Sequence, residues 1–454
     1  MEEKTMLQKA LSHFEAKEYG KLKELFASSE PADIADVLSE LEKNQYVTLY
    51  RLLPKDLAAE VFVEMDADAQ KNLIDSFSDS EITEMLEELF YDDTVDIIEE
   101  MPANVVQRIF KNALPETRKK LNELLRYPES SAGSIMTTEY VNLKMELTVE
   151  MALSHIRSVA TQKETVYTCF VTQNRTLMGI VSAKDLLISP LDRKIEDIME
   201  TNVVSVYTED DQEEVAAKFL KYDLLALPVV DRENRLVGII TVDDAMYIQN
   251  LEAEEDFAKM NAITPGDKPY IKTGVFEIWK KRIPWLLILT LSSTFTGLII
   301  SSFETALAAQ IALTAFIPML MGAGGNSGSQ SSVVIIRSLS LGEIEFSHLG
   351  KIIWKEFRVS ILCGAALGVV MFLKILLIDN LALGSNINML TAFTICFTLF
   401  LTVIVAKVLG CTLPVFAKKI GFDPAVMASP MITTLVDAGS LVIYFTLATL
   451  LLGI

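Results

Sequence analysis

Apolar and polar positions alternate along this chain in three textures. Between residues 20 and 125 the apolar residues recur at helical spacing in short runs, each opened by a residue suited to a helix start. These runs are PADIADVL from Pro31, PKDLAAEVF from Pro54, SDSEITEML from Ser78 and PANVVQRIF from Pro102. The starts lie 23, 24 and 24 residues apart, a period that predicts a superhelical all-α domain over residues 1–130. From Ser134 the pattern changes to short β-branched runs alternating with helices, predicting an α/β region over residues 131–256. The last third is apolar in five long stretches: Ile283 to Phe303, Ala306 to about Ile336, Val359 to Ile378, Met389 to Leu409 and Pro430 to Ile454. Each approaches the roughly twenty residues a helix needs to cross a bilayer. The expectation is a multidomain membrane protein whose residues 283–454 form an all-α, five-helix transmembrane domain.

The α/β region is duplicated. Ile135-Met136 recurs as Ile198-Met199, and LMGIVSAKDLL from Leu177 recurs as LVGIITVDDAM from Leu236. Each copy of the longer element reads as a buried strand, a Ser or Thr, and an Asp three residues later at a helix start. This resembles a pair of CBS domains, the module of cystathionine-β-synthase. The resemblance implies that Ser182 with Asp185, and Thr241 with Asp244, are placed to take the ribose of an adenine nucleotide, with Tyr167 as the stacking group beside Asp185. Plain helix capping explains the same residues without a ligand. After the second copy, VDDAMYIQNLEAEEDFAKM predicts an acidic connecting helix, part of a linking region over residues 243–282 that ends in Lys280, Lys281 and Arg282 at the membrane surface.

Two features of the apolar third carry chemistry. The stretch Pro430 to Ile454 holds one ionised residue, Asp437, beside Thr433, Thr434, Gly439 and Ser440 and with no base to pair it. A carboxylate at membrane depth costs about 2.5–3.5 kcal/mol on insertion scales, which points to a wet path or a cation; hydrogen bonds from a neighbouring helix are the plainer explanation. PMLMGAGGNSGSQSS, Pro318 to Ser332, packs four glycines and a proline into eleven residues. That composition predicts broken helix whose freed carbonyls line a cavity, and the absence of a Gly-Lys-Ser/Thr ending excludes a phosphate-binding loop.

Charge divides the chain the same way. Residues 284–454 carry eight bases and seven acids, whereas residues 1–283 carry 32 bases and 54 acids. So acidic a soluble part repels nucleic acid and attracts cations. Within it, Asp92 and Asp96 stand four residues apart and share a helix face, either to hold a cation or as solvated surface. Oxygen ligands without Cys or His nearby favour a hard ion such as magnesium, which keeps its waters and needs few carboxylates. His13, His155 and His348 form no zinc-protease motif, so no enzyme is expected, and the four cysteines show no metal or disulfide spacing. The N-terminus lacks a signal-peptide pattern. Nine bases against one place it in the cytoplasm and the C-terminus outside a plasma membrane.

Solenoid, CBS-like pair, acidic connecting helix, GGNSGSQS and the lone Asp437 together resemble the MgtE family of magnesium channels or transporters, over nearly the whole chain. That resemblance implies a homodimer in the lipid bilayer with its pore on the two-fold axis. Asp437 would bind the permeating Mg2+, and Gly325 and Asn326 would line the path. Regulatory Mg2+ would bind between acidic cytosolic domains and close the pore. The matching acids are Glu60, Asp92, Asp96, Asp211, Glu213 and Asp223, followed by Asp244, Glu252, Glu255, Asp256 and Asp423. Where a further acid is expected on the connecting helix, this chain has Tyr247. ATP is the candidate nucleotide. The alternatives are a transporter of another divalent cation such as Co2+, and a Mg2+ sensor with little transport.

Overall fold

Four sequence repeats become four pairs of short helices in the computed structural model, which describes all residues except 1, 267–269, 272, 305–307, 309, 428 and 454, and also omits the side chains of residues 2–5 and 429. Two leading helices, α1 (Glu2–Glu15) and α2 (Tyr19–Ala27), precede them. The pairs are α3 (Pro31–Ser39) with α4 (Lys43–Tyr50), α5 (Lys55–Val63) with α6 (Ala67–Ser76), α7 (Asp79–Glu88) with α8 (Tyr91–Glu100), and α9 (Ala103–Asn112) with α10 (Pro115–Leu124). Helix-start chemistry sets the boundaries. Pro31 opens α3, where its missing N–H costs nothing, and Pro54 and Pro102 stand just before α5 and α9. Ser78 caps α7 reciprocally: its Oγ accepts from the Glu81 N–H at 3.2 Å, and Glu81 Oε2 accepts from the Ser78 N–H at 2.7 Å. The apolar faces close on one another through Leu38, Phe62, Ile74, Ile82, Val95, Ile109 and Leu121, all buried. Arg108 of α9 donates to the carbonyls of Ile74 and Phe77, tying the fourth repeat back to the end of the second.

The duplication is visible in topology. Strands β1 (Tyr140–Lys144), β2 (Thr165–Gln173) and β3 (Thr176–Ser182) form one sheet; β4 (Val206–Tyr207), β5 (Ala226–Val230) and β6 (Leu236–Thr241) form the other. In each, the first pair is parallel and the second antiparallel, with Cys169 opposite Val181 and Leu227 opposite Ile240. Helices α11 (Val149–Val159) and α13 (Gln212–Tyr222) make the parallel crossovers. Helix α12 (Ala183–Ile188) follows β3 and α14 (Val242–Met260) follows β6, the latter extended to 19 residues as the acidic sequence predicts.

The chain divides into two compact units, Met1–Gln249 and Asn250–Ile454. The second is built from α15 (Val275–Ser302), α16 (Ile317–Ser340), α17 (Leu349–Lys374), α18 (Met389–Lys419) and α19 (Ser429–Leu452). Lys280, Lys281 and Arg282 fall inside α15, which begins at Val275 and runs through the boundary expected between residues 282 and 283. Among the described residues, four segments are long and apolar enough to cross a membrane; they contain α15, α17, α18 and α19. Helix α16 has the length, but its Gly, Ser, Asn and Gln lower its mean hydropathy. The expected ends at Ala306 and Ile454 lie outside the described residues.

The broken helix expected over Pro318 to Ser332 is not found. Helix α16 is continuous from Ile317 to Ser340, so the carbonyls expected to face a cavity are within helical structure. The glycines serve close packing instead. A Cβ on Gly328 would stand 2.7 Å from Ile432 of α19 and 3.2 Å from the Ala406 carbonyl of α18, and one on Gly410 would strike the Gly328 carbonyl. The bulk of the unit's core lies nearby, around Leu320, Leu399, Leu441, Tyr444 and Phe445. The four cysteines are free.

Candidate functional site

Asp437 projects from α19 where that helix meets α16. Its Oδ1 is buried without a hydrogen-bond partner among the described residues, and so is Oγ1 of Thr402 on α18. Such groups are expensive to withdraw from water unless something else satisfies them. The hydroxyls expected beside Asp437 are turned inward: Thr434 donates to the Pro430 carbonyl at 3.0 Å and Ser440 to the Val436 carbonyl at 2.6 Å, each within α19. Thr402, Ser440 and Val436 all close on Gly324, and Thr433 closes on Gly325. Asn326 points the other way, on an exposed face of α16 shared with Gly322, Gln330, Val333 and Arg337. Gly325 and Asn326 are thus adjacent in sequence but serve different surfaces, one packed and one open.

In the first unit, α8 brings its acids against the CBS-like pair. Asp92 Oδ1 is buried and unpartnered. Burial, then repulsion from Asp93, Glu164 and Asp244, pushes the Asp92 carboxyl well above its usual range. The same causes push Asp93 up to about 6, with Asp244 its strongest charged influence, and Glu164 up to about 7, with Asp93 the strongest. Asp96 keeps an exposed edge, yet its carboxyl is crowded by packed elements and by Asp244, and rises to about 7. Asp244 itself is raised by burial, although the Thr241 hydroxyl donates to its Oδ2 at 2.7 Å. Asp92, Asp96 and Asp244 are therefore gathered here. Asp93, Glu139 and Glu164, not expected from sequence, join them; Glu139 accepts from the Tyr91 N–H at the start of α8, 3.0 Å away.

The other expected acids scatter. Glu60 is exposed on α5. Asp211 caps α13, accepting from the Glu213 N–H at 2.8 Å, and Asp223 closes that helix in the left-handed conformation with φ 51°. In the second unit Glu255 and Asp423 converge on a base: Lys259 Nζ lies 2.6 Å from Glu255 Oε1 and 2.6 Å from Asp423 Oδ2. Asp256 Oδ2 accepts from Ser340 of α16 at 3.3 Å, and Glu252 lies one turn earlier on α14. Tyr247, in place of the expected acid, is exposed on α14. Among the described residues no three His, Cys, Asp or Glu side chains are grouped so as to hold a bare metal ion. Acids used singly or in pairs suit an ion that keeps its waters.

At the nucleotide candidate, Ser182 donates to Asp185 Oδ2 at 2.5 Å and accepts from the Asp185 N–H at 3.1 Å, so the capping role is filled. Tyr167 on β2 is 68% exposed, an open ring on the strand that pairs with β3.

Three family models match: the MgtE intracellular N domain over residues 29–130, CBS domains over 132–191 and 195–249, and a divalent cation transporter domain, MgtE, over 317–447. The magnesium transporter MgtE of Thermus thermophilus is 35% identical across 100% of this chain and 99% of its own length. The chain belongs to the MgtE family. The Bacillus subtilis MgtE magnesium transporter is 33% identical over 92% of this chain and 91% of its own. Among solved structures, the soluble part of a magnesium transporter covers 55% of the chain and 99% of itself, at 30% identity and TM-score 0.53. The cytosolic domain of the Mg2+ channel MgtE in complex with ATP covers 53% and 99%, at 36% identity and TM-score 0.50. The MgtE architecture accounts for the helical N-domain, the CBS pair and the apolar helices. It also makes the chain a multi-pass membrane transporter.

Proposed function

We propose that this chain takes Mg2+ up across the plasma membrane and that internal Mg2+ closes it. Asp437 carries the reading: a single carboxylate in an apolar helix, one oxygen buried and unpartnered, in a family whose relatives are named magnesium transporters. One carboxylate binds a hydrated dication without trapping it, and conduction needs binding weak enough for release. Asn326 supports a path shared by two copies, because an exposed face carrying Asn326, Gln330 and Arg337 is costly against lipid and is covered if a second chain packs there. The base count supports a cytoplasmic N-terminus.

For closure, Asp92, Asp93, Asp96, Glu164 and Asp244 repel one another, and the unpartnered Asp92 oxygen is a ready acceptor for a cation or its water. With a dication shared among them α8 stays packed on the CBS pair; without it the repulsion drives them apart, and by linkage the membrane helices feel the same ion. Glu252, Glu255, Asp256 and Asp423 form the second regulatory set, partly neutralised by Lys259. In the first CBS copy, Asp185 with the open Tyr167 ring takes the adenine nucleotide, a reading supported by the ATP complex of the related cytosolic domain.

The test is flux into liposomes of Mg2+ against Ca2+, Mn2+ and Co2+. The parent should favour Mg2+, and Asp437→Ala should conduct it about a hundredfold more slowly. Conduction of Mg2+ at the parent rate by both Asp437→Ala and Asp437→Asn would show that the pore lies elsewhere.

A further inference from the structure

The second unit holds a charge network that the reading above leaves unused. Lys407 on α18 is 6% exposed. An ammonium at membrane depth is costly and normally has both a partner and a function. Its Nζ donates to Ser331 Oγ of α16 at 3.3 Å and lies 3.9 Å from Glu356 Oε2 of α17. Ser331 Oγ in turn donates to the same Oε2 at 2.6 Å. Three helices are joined through one hydroxyl.

The position of this network gives it meaning. Ser331 follows Asn326 by five residues in α16, a rise of about 7.5 Å. Lys407 follows Ala406, whose carbonyl closes on Gly328; Val436, which precedes Asp437, closes on the same glycine from α19. Lys407 and Asp437 therefore each follow a residue that closes on Gly328, on two helices packed against α16 where buried charges act strongly on one another.

We propose that Glu356 is a positioning residue for transport: linked to Lys407 through Ser331, it holds α16 in register and cancels an ammonium charge that otherwise opposes a dication approaching Asp437. The inference rests on the pore reading of Asp437. It gives the two partners unequal roles. Removing Glu356 leaves a buried positive charge beside the path, because nothing else neutralises Lys407 among its described contacts. Removing Lys407 leaves an acid, which does not oppose a dication approaching Asp437. A pair that served packing alone would tolerate neither loss and would show no such asymmetry.

The experiment measures Mg2+ uptake by the full chain in liposomes for Glu356→Gln, Lys407→Met and the double variant, each normalised to folded protein by size exclusion. Glu356→Gln should lose at least about tenfold, the scale of a dication facing a unit charge across roughly 10 Å at intermediate dielectric. Lys407→Met and the double variant should stay within about threefold of the parent. Equal losses in both single variants, or a double variant as poor as Glu356→Gln, would overturn the inference, and so would parent-level uptake by Glu356→Gln. If Glu356→Gln does not fold, the double variant decides: transport supports the proposal, and a folded but inactive protein refutes it. Asp437→Ala run in parallel separates the two readings. Its failure to conduct alongside an active Glu356→Gln removes only the present inference, whereas its conducting normally removes the pore reading beneath it.

Discussion

Asp92 and Asp437 each bury a carboxylate oxygen without a hydrogen-bond partner, one in each unit of the chain. Their surroundings differ. Asp92 sits among Asp93, Asp96, Glu164 and Asp244, so negative charge accumulates, and in the proposed reading a hydrated dication is shared among several of them. Asp437 has Thr433, Ser440 and Gly439 about it and no second acid on its helix, so whatever it holds is held by one. A crowd of carboxylates retains an ion and suits sensing; a solitary one lets an ion pass and suits permeation. In the proposed reading the same kind of group serves both tasks, divided by the number of its neighbours.

The sharpest way to break this contrast is at the solitary member. Asp437→Ala should lower Mg2+ uptake about a hundredfold, the scale of one charge-assisted interaction worth roughly 3 kcal/mol, with the soluble unit unchanged by circular dichroism. The crowd should be more forgiving. Asp92→Ala with Asp96→Ala should raise the internal Mg2+ needed for closure about tenfold without abolishing flux, because other acids remain. Patch recordings over a magnesium series would show this, and an unshifted midpoint would remove α8 from the regulatory set.

Protons supply a third, smaller test. Asp93, Asp96 and Glu164 have folded-state values near 6, 7 and 7, above their ordinary ones, so the packed form binds protons more tightly than the separated form. Their contribution to packing is full below the ordinary carboxylate range and is lost as pH rises through about 6 to 7. In chelator, hydrogen exchange of the α8 amides should therefore quicken between pH 6 and pH 8 beyond the intrinsic rate, and Mg2+ should suppress the increase. The smallest effect concerns the nucleotide: Asp185→Ala should weaken ATP binding in calorimetry by roughly tenfold or less, as for one hydrogen bond to a charged group, and leave Mg2+ flux without ATP unchanged.

Local chemistry was legible in the sequence and partnership across distance was not. Pro31, Pro54, Ser78 and Pro102 announce helix starts because the reason for a start lies within three or four residues. The duplicated Ser182/Asp185 and Thr241/Asp244 elements are equally self-contained. The glycines of α16 were misread as a break because their purpose is on another helix: Gly328 is bare to admit Gly410, which lies 82 residues away. Lys259 between Glu255 and Asp423, and Lys407 beside Ser331 and Glu356, were ordinary bases until folding supplied their neighbours. Glu139 and Glu164 likewise had no linear signal linking them to α8, since each lies on the far side of the link between the helical repeats and β1 or β2.

The crossing of Gly328 with Gly410 has a mechanical consequence. Two backbones meet there with no side chain between them, so at this one point α16 can turn on α18, and the Thr402 methyl seated on Gly324 one turn earlier limits how far. Such a point is a hinge pin. The Ser331 hydroxyl, three residues along, is bonded on one side to Lys407 and on the other to Glu356, and acts as the detent that sets where the pin comes to rest.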